Sequence, residues 1–416
     1  MNGSNSTQVK GVKTVKVAIV TSGFFAPFSK MCGAAETLVE EIVLQNEVKG
    51  GLDLVLYGTA DEVALAKAKG FEKCVYRNIV SPLPVRAADC LIYFIAKVVL
   101  RKKRHFSYRY ILQRLWFIRS VGKGLAKEPV DRIVFENSPT LLMALRVKGN
   151  RERYADKWMY HMHNIVPSFF GCEEDMLACR KVLGVSEYAL RELQEFSGNR
   201  FDASRLVVLR NKVDERVFTG KISPERAAEL RTRHGIADDA KIVLFGGRLT
   251  PEKGALELIK AFGKLAEMNA VLLVVGAYYY GSKMKSEYEE RLETAAKSLG
   301  DRIVFTGFVA HDEMPDYYAL ADVVCAPSVA SDSAPLAVIE PLTAGRPVVT
   351  TQIGGIPEYA TDGVDSVVLP LGEGLEDRLA TAIRGVLAGE IRLGANESES
   401  WDVASFYRDF VRLVGE

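Results

Sequence analysis

Short aliphatic runs rich in β-branched residues recur along this chain, each followed by a segment of helical length, and this alternation is what most restricts its fold. The first run is Lys16-Val-Ala-Ile-Val20, closed by Gly23, and helix-like Ala34 to Asn46 follows it. Leu52-Asp-Leu-Val-Leu-Tyr57, Arg132-Ile-Val-Phe135 and Trp158-Met-Tyr-His161 continue the series. It then starts again: Lys241 to Phe245, helix Ala255 to Met268, Ala270 to Val275, helix Glu287 to Leu299, Ile303 to Phe305, helix Met314 to Leu320, Val323 to Ala326, helix Leu336 to Ala344, Pro347 to Thr350. Runs that are apolar at successive positions are covered on both faces, as strands of a parallel sheet between helix layers are. The pattern therefore predicts an α/β protein with right-handed crossovers. Its repetition predicts two Rossmann-like lobes facing a central crevice, residues 1–204 and 205–395.

At 416 residues the chain is too long for one ordinary core, which agrees with two lobes. The first sixteen residues are polar and basic and do not read as a signal peptide. The longest apolar run, Leu91 to Leu100, contains Lys97 and falls well short of the roughly 20 residues a spanning helix needs. A cytoplasmic location is expected. Six cysteines without a CxxC pair suggest reduced thiols rather than a disulfide framework or a zinc site.

A net charge of +1 hides a strong asymmetry. Residues 1–200 carry 30 Lys+Arg against 20 Asp+Glu, and residues 201–416 carry 24 against 33. From Leu91 to Lys127 there is no acidic residue, yet ten basic ones, interleaved with Tyr93, Phe94, Phe106, Tyr108, Tyr110, Trp116 and Phe117. Such a stretch suits a solvated helical face, an anionic membrane or nucleic acid. Our reading keeps an anionic membrane surface on residues 91–127 as a partner, making the protein peripheral at the inner face, and expects no nucleic acid.

Phe245-Gly-Gly-Arg-Leu-Thr-Pro-Glu-Lys-Gly254 stands between a strand and a helix. Its glycines allow close backbone approach, its helix N-terminus attracts anions, and Arg248 and Lys253 add two cations. Asp332 and Glu340 lie eight residues apart around the start of the next helix, where they could cap it or bind sugar hydroxyls. Gly345, Pro347 and Gly354-Gly-Ile-Pro-Glu358 make another tight-loop region near the same crevice. Val274 to Lys283 nearly fits a phosphate-binding G-x-x-x-x-G-K loop, but Ser282 stands where the lysine belongs and Met284 where Ser or Thr would hold magnesium.

Taken together, these segments resemble the GT-B glycosyltransferases called glycosyl transferases group 1, or family 4, a retaining group. Gly247 to Gly254, Phe305-Thr-Gly-Phe-Val309, Tyr317 to Ser328, Ala344 to Val348 and Gly354 to Glu358 carry the likeness in the family's order and spacing. The resemblance implies transfer of a sugar from a UDP- or GDP-sugar to a hydroxyl of a glycan or lipid-linked acceptor, with no cofactor and no metal. It implies that Arg248 and Lys253 bind the donor diphosphate, Asp332 the transferred sugar and Glu340 the ribose. Gly33, Gly247, Val309, Ser333 and Leu336 would complete the donor site. The sequence departs from the family's pattern at Ala34, Asp332 and Pro335, which stand where glycine, glutamate and glycine are usual. In Tyr160-His-Met-His-Asn164, His163 best fits the family's histidine beside the reacting sugar, with His161 as the alternative. Two histidines at i, i+2 on a strand face one way and could bind metal, but no third ligand is evident. The resemblance also implies a C-terminal segment, 396–416, packed back on the first lobe. Competing readings are a nucleotide-sugar epimerase and a non-catalytic nucleotide-sugar-binding scaffold.

Overall fold

The computed structural model describes residues 14–29, 33–100, 109–278, 286–394, 396 and 401–416. Among these described residues, thirteen strands form two sheets, all their pairings parallel. The first sheet comprises β1 (Val15–Val20), β2 (Leu52–Gly58), β3 (Cys74–Asn78), β4 (Arg132–Glu136), β5 (Trp158–Met162), β6 (Lys181–Gly184) and β7 (Leu206–Val208). Its order is β3-β2-β1-β4-β5-β6-β7. The second comprises β8 (Lys241–Gly246), β9 (Ala270–Val275), β10 (Ile303–Gly307), β11 (Val323–Ala326), β12 (Val348–Thr351) and β13 (Ser366–Leu369), in the order β10-β9-β8-β11-β12-β13. This is the two-lobed GT-B architecture.

The continuous apolar runs are explained by burial on both faces. In β1, Val17 and Ile19 pack into one cluster while Ala18 and Val20 pack into another on the opposite side of the sheet. In β8, Ile242 and Leu244 are likewise separated from Val243 and Phe245. Strand order reverses direction between β1 and β4, and between β8 and β11. Loops leaving the carboxyl ends of strands at such a switch point diverge and leave a crevice.

Two details differ from the sequence expectation. β7 pairs with β6, so the first sheet runs past residue 205 and the crossover to the second lobe follows Val208. The helix expected over Ala255 to Met268 ends at Gly263, and the turn before it, Pro251–Lys253, is 3-10 rather than α-helical.

The last helix, Val403–Gly415, lies on the first lobe. Phe406, Phe410 and Leu413 share a cluster with Leu38, Ile42 and Leu54, and the Tyr407 hydroxyl sits 2.6 Å from Asn46 Oδ1. Just before it, Trp401 packs in the second lobe, stacked on Tyr359. The chain end thus clamps both lobes. Among the described residues, no helix is long and apolar enough to cross a membrane.

Candidate active site

One cleft of about 1550 Å³ lies between the lobes, lined by the loops that leave β1, β4, β5, β8, β9, β10 and β11. The expected residues Gly33, His163, Gly247, Arg248, Lys253, Val309, Asp332, Leu336 and Glu340 all line it. Ser333 does not. It is buried, and its carbonyl lies against the backbone of Gly355.

On the second lobe, Gly254 brings the 251–253 turn against β11. With φ +73, and with a Cβ there destined to lie 1.8 Å from the Pro327 carbonyl oxygen, only glycine fits. Gly354 does the same for the Asp332 loop: its φ is +62 and a Cβ would lie 2.1 Å from the Asp332 carbonyl oxygen. These contacts bring Lys253 to Asp332, and the two form an ion pair, with Ser328 Oγ 3.3 Å from the same carboxylate oxygen. Arg248 is exposed and has no acidic partner among the described residues. Two cations therefore stand ready for an anion, one of them already held by a carboxylate.

Glu340 is buried in the helix Leu336–Thr343. Its Oε1 lies 2.7 Å from His311 Nε2 and its Oε2 accepts from the Tyr318 hydroxyl at 2.8 Å. An ionised carboxylate has about four lone-pair sites, so Glu340 can still accept from ligand hydroxyls. Burial works against a charge on His311, but the Glu340 carboxylate, with Glu40 and Glu41 across the cleft adding to the field, lifts its pKa to about 9. His311 is thus an imidazolium at neutral pH.

On the first lobe, His163 Nε2 lies 2.8 Å from Glu136 Oε2, and His161 Nδ1 lies 3.1 Å from the same oxygen. Glu136 is the register partner of His161 across β4 and β5, and all three side chains are buried. The statement that no third group stands near the histidine pair is therefore corrected: Glu136 brings three potential donor atoms within 4.8 Å of one another. The contacts have hydrogen-bond lengths. Burial disfavours charge on Glu136, yet the two imidazoles together hold its carboxyl down at about 2. Burial, then the neighbouring His161, push His163 down to about 4. A neutral His163 that donates from Nε2 leaves Nδ1 as a bare acceptor, and that atom has no partner among the described residues. Asn137, with φ +54, seats the following loop by accepting from the His163 and Asn164 amides, each at 3.1 Å.

Sequence reasoning missed Glu136, His311 and Tyr318. The signal for Glu136 was its place directly after the apolar run of β4. His311 and Tyr318 reach Glu340 only through the fold, 29 and 22 residues away in sequence.

In the basic stretch, the helix Leu83–Phe94 runs on through a π-helical segment, Ile95–Val99, and packs beside the helix Ile111–Lys127. Arg101, Lys102, Lys103, Arg104, Phe106 and Tyr108 lie outside the described residues, as do residues 279–283 of the near phosphate-loop match. Leu91, Phe94, Val98 and Val99 are each at least half exposed, an apolar stripe at helical spacing.

Residues 227–401 match the family model described as glycosyl transferases group 1. A lipopolysaccharide 1,2-N-acetylglucosaminetransferase from Salmonella typhimurium is 28% identical over 59% of this chain and 64% of its own. A D-inositol 3-phosphate glycosyltransferase from Kribbella flavida is 31% identical over 50% of this chain and 48% of its own. The chain thus matches less than two thirds of the length of these curated relatives. HepE from Anabaena, solved in complex with UDP and glucose, shares the fold over 96% of this chain and 95% of its own, with a TM-score of 0.65 and 19% identity. Residues 227–401, which make up most of the second lobe, are thus similar to the glycosyl transferases group 1.

Proposed function

We infer that the protein transfers a sugar from a nucleotide-sugar donor to a hydroxyl acceptor with retention of anomeric configuration. The observation that carries this reading is the pair of cations, Arg248 and Lys253, at the second switch point, facing His163 across one cleft. The acceptor oxygen bonds to the anomeric carbon as the bond to the diphosphate breaks, and the electron pair leaves with the phosphate oxygen. Attack on the face of departure sets the hydroxyl proton beside that oxygen, which takes it up. The main task is to stabilise charge developing on the diphosphate, and Arg248 and Lys253 do this in place of a metal ion. UDP and glucose in the HepE complex support a UDP-sugar donor.

The acceptor is lipid-linked or membrane-proximal. The exposed apolar stripe Leu91, Phe94, Val98 and Val99, set in an acid-free basic stretch, suits a peripheral contact with an anionic leaflet. The acidic second lobe is left toward the cytosol. Nuclear magnetic resonance of the purified product tests the reaction, with and without a chelator. An anomeric configuration equal to the donor's and unaltered yield under chelation are expected; an inverted product or loss of turnover overturns the reading.

A further inference from the structure

The first-lobe wall of the cleft carries a cationic patch to which the donor reading above gives no role. Arg86, Tyr93 and Lys97 follow one another at spacings of seven and four, a single stripe along the Leu83–Phe94 helix and its π-helical extension, and all three line the cleft. Arg109 lines it beside them. The Lys97 ammonium and the Arg109 guanidinium each lie 5.8 Å from the Tyr93 ring centroid. Two cations at one ring repel each other, and an anion bound beside them offsets that repulsion.

None of Arg86, Lys97 and Arg109 has an acidic partner among the described residues. The unassigned residues 101–108 cannot provide one, because 91–127 holds no Asp or Glu. Arg114, also on this wall, is spoken for: it is bonded to the Ser22 carbonyl and to Ser138 and Thr140 hydroxyls. Glu36 is the one acid among the first-lobe lining residues, and it accepts from Ser22 Oγ at 2.7 Å.

We propose that Arg86, Lys97 and Arg109 bind a phosphate group of the acceptor, a phosphomonoester or diphosphate, and so select an anionic acceptor over a neutral sugar. This rests on the transferase reading above and deepens it. The apolar stripe on the outer side of the same helix places the phosphate site next to the surface suited to lipid. A diphosphate with an apolar tail would thus have its head in the cleft and its tail at the rim.

The test is calorimetric titration of inorganic pyrophosphate into the full chain. Wild type is compared with the triple variant Arg86→Gln/Lys97→Gln/Arg109→Gln, with Arg248→Gln, and with a control triple, Arg119→Gln/Lys123→Gln/Lys127→Gln, whose exposed cations lie outside the cleft. Two classes of site are expected. One weakens by about tenfold or more in the cleft triple variant and survives in Arg248→Gln, and the other behaves in the reverse way. Glucose 6-phosphate, and not glucose, competes for the first. Farnesyl diphosphate separates the sources: tighter binding than pyrophosphate assigns a lipid-linked phosphate, and equal binding a soluble one. Unchanged pyrophosphate binding in the cleft triple variant overturns the proposal, and so does an equal loss in the control triple. Pyrophosphate binding that Arg248→Gln leaves unchanged, with the first class still lost in the cleft triple variant, would contradict the donor assignment and leave this site standing.

Discussion

His163 Nε2 lies 2.8 Å from Glu136 Oε2, and a neutral imidazole that donates to this carboxylate keeps no proton on Nδ1. A glutamine at 136 keeps the shape and removes the charge. Glu136→Gln is expected to lower kcat by about tenfold or more with little change in KM, since a misplaced acceptor is felt mainly at the reacting sugar. The cluster also marks stability. His163 is pushed below its ordinary 6.5 to about 4, so in that window the unfolded chain binds the extra proton. Stability is expected to fall as pH drops from 6.5 through 4, and urea unfolding of wild type and His163→Gln checks whether that slope shrinks in the variant.

Lys253 forms an ion pair with Asp332, and on the proposed reading the donor diphosphate takes it from that carboxylate. Asp332→Asn is expected to bind free nucleoside diphosphate more tightly while slowing transfer, because it frees the lysine and loses a contact on the sugar. Arg248→Ala and Lys253→Ala should each lower transfer by about tenfold, equal to ~1.4 kcal/mol and within reach of one charge-assisted hydrogen bond. Calorimetry with the nucleotide, beside initial rates, separates the two effects. Weaker nucleotide binding in Asp332→Asn would show that the pair does not compete with the ligand.

Glu340→Gln is expected to weaken nucleotide binding more than it slows transfer, because a ribose contact is present in ground and transition states alike. Its partner gives a second readout. His311 is raised from 6.5 to about 9, so the stability it contributes is full below 6.5 and is lost as pH rises through 9. Glu340→Gln should flatten that loss. Thermal melts at the two ends of the window test this, and an unchanged slope would remove the His311–Glu340 pair from the account.

The contact with a membrane should depend on both charge and apolar area. Each basic residue near an anionic surface contributes about 1 kcal/mol, falling off within a Debye length. Cosedimentation with anionic vesicles is expected to weaken with salt, with neutral lipid and in Phe94→Ser/Val98→Ser. Binding indifferent to all three would return residues 91–127 to an ordinary solvated face.

Strands buried on both faces were legible because their sequence is apolar without interruption, as in β8 and β9. β7 was not, because three residues make too short a run to separate from a loop. Arg248, Asp332 and Glu340 could be read from the order of motifs, since the loops after strands carry them at fixed offsets. Their partners could not: Glu136 meets His163 because β4 and β5 are parallel neighbours in register, and His311 meets Glu340 only because the fold brings together the segments after β10 and β11, which are not neighbours. The close approach of Gly354 and Gly355 to the backbone of Asp332 and Ser333 was equally hidden, because it joins loops after different strands.

The central claim is that the cleft turns over a nucleotide-sugar on Arg248 and Lys253. Its most direct test is release of free nucleotide from UDP-, GDP- and ADP-sugars, measured with and without a lipid extract, for wild type and Arg248→Ala. The account predicts that one donor releases its nucleotide faster when the extract supplies an acceptor, and that Arg248→Ala loses this by about tenfold. Release from no donor, or release unaffected by Arg248→Ala, would contradict it.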